Sequence, residues 1–386
     1  MAHTTLLAII YLAFISLGLP DSVLGVAWPS MRTGFGQPLE AAGLITLIVT
    51  VCSATSSFAS GAVLQRLGTG RVVMLSGFLT GAALLGFAFA PSFGWILLLA
   101  MPLGLGAGSV DAGLNQYVAE HFSSRHMNWL HGCWGIGATL GPFMMGSALA
   151  GASGWQAGYR AIGLVQLALA LLFLLSLRLW QHQPAPLLRE PNPASAARRG
   201  RAPTAWAPWL APSLYLVYAT IEVGTGLWTA SILVEQRGVS ARAAGLWVAC
   251  FFGAIMVGRF AVGLVAARIG NRRLVRIGLV TAACGAGLFS VGGLPHAVSL
   301  FALVLLGLGC APVFPSLMHE TARRFDAATA RTVVGRQVAF AYVGAALGPA
   351  SLGLLGAAWG LGAIMPAVCV ALLLLLLLAW LLDRVT

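Results

Sequence analysis

Lysine is missing from this chain of 386 residues; all 22 basic side chains are arginine. Acids are scarce as well, ten in all, and charged residues make up 8% of the sequence against 59% apolar. Soluble domains carry about a quarter of their residues as charges, so a water-exposed globular enzyme is excluded. No Walker A loop is present, which argues against ATP-driven transport by this chain, and neither G-x-S-x-G nor H-E-x-x-H occurs. The six cysteines (Cys52, Cys133, Cys250, Cys284, Cys310, Cys369) lie inside apolar runs without C-x-x-C spacing. They read as small buried hydrophobes, not as disulfides or metal ligands. No enzymatic activity, metal or organic cofactor is expected.

What the sequence does have is long apolar runs. A helix crossing a bilayer needs about 20 mostly apolar residues. Candidates fall near 5–30, 41–64, 72–90, 95–119, 129–151 and 158–180, then near 208–234, 241–266, 274–293, 297–321, 332–357 and 362–382. The first run is too long for a cleaved signal and has no basic residue before it, so it reads as a retained helix. Residues 182–207 differ in composition, with His182, Arg189, Glu190, Arg198, Arg199, Arg201 and several prolines. Such a segment belongs in water and reads as a linker. The expected organisation is a six-helix bundle over 1–181, the linker, and a second six-helix bundle over 208–386.

The net charge of +12 has two readings. A nucleic-acid binder would gather its arginines in one stripe, whereas these are dispersed between apolar runs. Sixteen fall in loops on one side of the implied topology and four on the other, with Arg259 and Arg336 inside apolar runs. Positive charge marks the cytoplasmic side, which places both termini and the linker there, in a cell inner membrane. The expected partners are the lipid bilayer and a small solute, with no nucleic acid and the chain acting as a monomer.

The halves repeat. LGLGAGSVDAGLNQYVAEHF near 103 matches LGLGCAPVFPSLMHETARRF near 306, GATLGP (137–142) matches GAALGP (344–349), and GAVLQRLGTGR (61–71) matches GLVAARIGNRR (263–273). Parallel six-helix repeats are the mark of one transporter architecture. The loop with Gly61, Arg66, Gly68 and Arg71, and its second copy with Gly263, Arg268, Gly270, Arg272 and Arg273, resembles the conserved loop of the major facilitator superfamily. Gln65 and Ala267 stand where that family usually has an acid. The resemblance implies an all-α membrane fold of twelve helices in two pseudo-symmetric bundles. Within the superfamily, GLPDSVLGVAWPSMR (18–32) and the stretch 111–142 resemble the fucose:proton symporter group and its sodium-glucose-transporter-like relatives. That group carries one essential carboxylate on helix 1 and one on helix 4, positions that Asp21 and Asp111 match.

Ionisable groups inside a bilayer are expensive, about 2.5–3.5 kcal/mol on insertion scales. Asp21, Asp111 and Glu222 lie far from helix ends and are the candidates for proton coupling; the alternative is that they neutralise buried arginines, with Arg259 and Arg336 available, or bond to serine and threonine. Asp111 and Asn115 are one helical turn apart and share a face. An acid and an amide so placed take a solute hydroxyl from two sides. Gln116, His131, Trp134, Trp28, Trp228, Gln337 and Tyr342 complete a candidate binding set of amides and aromatic faces, each with ordinary helix packing as its alternative. Arg66, Arg71, Glu120, Arg268, Arg272 and Glu320 lie at inner helix ends and read as gating ion pairs. Gly104, Gly106, Gly108, Gly135, Gly137, Gly141, Gly344 and Gly348 would let helices approach closely, and Pro142 and Pro349 would kink theirs.

The sequence therefore points to a secondary active transporter, with proton-coupled symport of a sugar or similar small polar solute. A drug:proton antiporter is the main alternative, which the G-x-x-x-G-P run at 137–142 supports. Sodium-coupled sugar transport and a non-transporting membrane receptor or scaffold also remain open.

Overall fold

The computed structural model describes residues 2–122, 124–181 and 204–386, apart from some side chains that include those of Glu120 and Arg125. The linker expected at 182–207 lies mostly outside the described residues. In hydrocarbon every backbone N–H and C=O needs an internal partner, and the described residues answer this with helices and no strand. In the first half these are α1 (Ala2–Asp21), α2 (Val23–Phe35), α3 (Ala41–Leu67), α4 (Thr69–Ala88), α5 (Phe93–His121), α6 (Ser124–Leu149) and α7 (Gly154–Leu175). The second half has α8 (Ala207–Ser231), α9 (Ala241–Ile269), α10 (Asn271–Ser290), α11 (His296–Cys310), α12 (Val313–Arg324), α13 (Ala327–Trp359) and α14 (Ile364–Val385).

Among the described residues, eleven spans are long and apolar enough to cross a membrane; α1 with α2, and α11 with α12, each form one interrupted span. The run expected at 129–151 is α6, a helix of 26 residues that lies outside those eleven.

The chain divides into two compact units, Met1–Leu187 with Thr229–Ala249, and Leu188–Trp228 with Cys250–Thr386. The internal repeat is visible in the backbone of each. Gly68 joins α3 to α4 with φ +76°, and Gly270 joins α9 to α10 with φ +86°. Their N–H groups donate to Leu64 O at 2.8 Å and Ala266 O at 3.0 Å, closing the preceding helix. Only glycine adopts this conformation without strain, which explains its place in both copies.

Within the first unit, α1 and α6 touch backbone to backbone. A Cβ on Gly18 would strike the carbonyl of Trp134, one on Gly137 that of Ile15, and one on Gly141 that of Leu19. Gly104 and Gly108 bring α5 against Val49 and Ser53 of α3 in the same way. The second unit repeats the device, with Gly344 and Gly348 of α13 against Leu216 and Thr220 of α8. Lipid tails are as apolar as leucine, so such close packing, not hydrophobic burial, holds helices together in a membrane.

Pro142 and Pro349 sit inside uninterrupted helices. The interruptions fall instead at Ser22, just after Pro20 and Asp21, and at Ala311–Pro312. A proline removes the N–H that would bond the carbonyl four residues back. Both freed carbonyls around Asp21 have substitute donors. Ser16 O, freed by Pro20, accepts Gln166 Nε2 from α7 at 2.9 Å, and Ser16 Oγ donates back to Gln166 Oε1 at 2.5 Å. Ala138 O, freed by Pro142, accepts Ser22 Oγ at 2.7 Å.

Candidate functional site

The helix interruption presents Asp21 at the C-terminal end of α1, and discontinuous helices are where transporters of this architecture place solute and ion sites. Asp21 is exposed, and its Oδ2 accepts the Trp134 Nε1 hydrogen at 2.8 Å. Asp111, half-buried on α5, lies within electrostatic reach of it. The one-turn spacing of Asp111 and Asn115 is realised: Asn115 Nδ2 donates to Asp111 Oδ1 and to its main-chain oxygen, both at 2.9 Å. Among the described residues neither carboxylate pairs with an arginine. The first unit thus holds two acids near each other, each steadied by a neutral donor.

The second unit is equipped differently. At the repeat positions of Asp111 and Asn115 stand Phe314 and Met318. The Phe314 ring lies 5.0 Å from Tyr215, whose hydroxyl donates to Phe314 O at 3.1 Å. Glu222 is ion-paired: Arg259 Nη2 donates to its Oε1 at 2.9 Å. Tyr218 neighbours this pair and donates its hydroxyl to Cys310 O at 3.0 Å.

Several residues expected to face solute do not. Trp28 and Trp228 are both fully enclosed, and their indole hydrogens go to Leu39 O and Pro349 O, each at 2.9 Å. They pack helices instead of offering a stacking face. Gln337 is enclosed too, with Nε2 donating to Thr321 Oγ1 at 2.8 Å. Trp134 is a donor to Asp21, not a free platform. Arg336 lies over the Trp209 ring at 3.9 Å instead of meeting a carboxylate. Gln116 is exposed, Tyr342 is half-buried, and His131 rests edge-on against Phe14 with centroids 5.7 Å apart.

Of the expected gating residues, Arg272 meets Glu320 at 3.0 Å within the second unit, while Arg66, Arg71 and Arg268 are exposed and the Glu120 side chain lies outside the described residues. Asp383, near the end of α14, is not among the residues that composition singles out. It accepts Arg324 Nη2 and Arg276 Nη2, each at 2.5 Å, and Arg272 approaches it at 3.8 Å. An acid at a helix C-terminus opposes the helix dipole, and that was the signal that it needs cations nearby. Burial pushes the Arg324 guanidinium down, and the hydrogen bond and charge of Asp383 hold it up. Arg32 near the end of α2 and Glu235 in the π-helical segment Ile232–Gln236 that continues α8 also pair, with Arg32 Nε 2.9 Å from Glu235 Oε1.

The family model for the Major Facilitator Superfamily matches residues 10–233 and again 213–386. The chain belongs to this superfamily. The relatives of this chain include the methyl viologen resistance protein SmvA of Salmonella typhimurium, 31% identical over 148 residues, which are 37% of this chain and 30% of that protein. The match thus spans less than a third of SmvA. The cis,cis-muconate transport protein of Acinetobacter baylyi is 22% identical over 380 residues, covering 94% of this chain and 90% of the relative. Among solved structures, a bacterial homologue of the human lysosomal transporter Spinster in an inward-facing, unoccupied conformation has a TM-score of 0.83 at 15% identity, covering 100% and 97% of the two chains. A D-xylose-proton symporter has a TM-score of 0.75 at 14% identity, covering 96% and 97%. The fold is therefore that of the superfamily, and the chain is a multi-pass membrane protein.

Proposed function

We propose that this member of the superfamily is a proton-coupled secondary transporter, working as a single chain, that carries a sugar or similar small polar solute by alternating access. One observation carries the reading: Asp21 and Asp111 sit deep in spanning helices with a tryptophan and an amide as partners, whereas Glu222 has a guanidinium. A carboxylate with a cation beside it stays ionised, while one held only by neutral donors in low dielectric is free to load and release a proton. The likeness of helices 1 and 4 to sugar:proton symporters and the fold likeness to a D-xylose-proton symporter support the solute class. Arg272 and Glu320 serve as one closing pair. The arginine asymmetry supports an inner-membrane location with cytoplasmic termini.

The test is uptake into proteoliposomes. Asp111→Asn and Asp21→Asn each abolish uphill, proton-driven accumulation and leave solute exchange intact. Uphill uptake surviving in both variants overturns the mechanism, and an uptake rate set by sodium at fixed pH transfers the coupling to that ion. The partial match to SmvA favours a second reading, drug:proton antiport. Methyl viologen efflux from cells overproducing the chain, lost in Asp111→Asn, would select it.

A further inference from the structure

Glu222 and Arg259 form an ion pair near the middle of two spans, Ala207–Gln236 and Ala241–Ile269. Their side chains keep 12% and 15% of their accessibility, so one edge of the pair is open. Charge facing hydrocarbon is the costly arrangement; an open edge at this depth therefore faces a polar space. A buried pair gives little net stability over apolar residues of similar volume, so stability is a weak reason to keep one here. Arg259 Nη2 donates to Glu222 Oε1, and a guanidinium is shaped to take a carboxylate with two parallel bonds.

We infer that Arg259 anchors a carboxylate group of the transported solute, with Glu222 occupying that anchor as an internal substitute when no solute is bound. This rests on the transporter reading and narrows the solute to a small organic carboxylate, sugar acids included. In the exchange the solute carboxylate replaces Glu222 on Arg259, and Glu222 stays beside Tyr218 and Cys310.

The experiment measures ligand-induced thermal shifts of the purified full chain with D-gluconate, succinate and cis,cis-muconate, against D-glucose and D-xylose as neutral probes. At least one carboxylate is expected to stabilise the wild type, where the neutral sugars do not. Glu222→Gln removes the competitor and should tighten that ligand about tenfold or more. Arg259→Gln should abolish its effect. Because Arg259→Gln leaves a buried acid alone and is a risk to folding, the double variant Glu222→Gln/Arg259→Gln supplies a neutral site; it should unfold near the wild-type temperature and ignore all three carboxylates. The proposal is overturned if the double variant binds a carboxylate as the wild type does, or if no carboxylate binds even Glu222→Gln. Neutral-sugar flux in proteoliposomes without competition by carboxylates also overturns it and leaves the transporter reading standing. Absence of flux for every solute, with carboxylate binding intact, would instead sink the transporter reading.

Discussion

Replacing Gln166 by leucine tests how the chain tolerates a proline beside Asp21. Gln166 is 1% exposed and makes two bonds to Ser16, one to its carbonyl and one with its hydroxyl. The carbonyl has no intrahelical donor because residue 20 is proline. Leaving a buried polar group unsatisfied costs about 1–3 kcal/mol, whereas an ordinary interhelical hydrogen bond in a membrane protein is worth about 0.6 kcal/mol. Gln166→Leu should therefore destabilise by about 1–3 kcal/mol. In a Pro20→Ala background the restored N–H satisfies Ser16 O, only the hydroxyl bond is lost, and the cost should fall to about 0.6 kcal/mol. The double-mutant cycle, read from unfolding midpoints of purified protein in detergent, should show a coupling of about 1 kcal/mol or more. Additivity within about 0.3–0.5 kcal/mol would refute the reasoning, since Gln166 would then be doing nothing for the carbonyl that the proline frees.

Three further outcomes follow from the packing and the ion pairs. Gly137→Val should cost about 1–3 kcal/mol or more, because its Cβ meets the backbone of Ile15 and Leu19, while Gly61→Ala, with open space around it, should be neutral or slightly stabilising in the same thermal assay. Asp383→Asn should cost about 3–5 kcal/mol, since it strands Arg324, whose side chain is 4% exposed; Arg276→Gln, at 48% exposure, should cost under about 1 kcal/mol. Arg32→Gln and Glu235→Gln should each cost at most about 1 kcal/mol, non-additively, with the effect shrinking as salt rises.

The spanning helices and the two-fold repeat were legible because both are properties of stretches: apolar runs of fixed length, and glycines at the same place in each half. Asp111 with Asn115 was legible because helical spacing alone puts them together. Partners across helices were not. Whether Trp28, Trp228 or Gln337 packs or faces a solute depends on the rotation of its helix, and a helix apolar on nearly every side gives no period from which to read that rotation. Pro20 announces a freed carbonyl, but its donor lies on a helix 150 residues away. The arginines that Asp383 and Glu235 meet lie on other helices, and only tertiary contact brings them together.

The contact between α1 and α6 is made by main chain meeting main chain, without long side chains to cushion it. The two helices are thereby denied sliding past each other, and whatever tilts one tilts the other. Asp21 rides on the first and its indole donor on the second, so a movement of the two helices as one body carries the acid and its donor together.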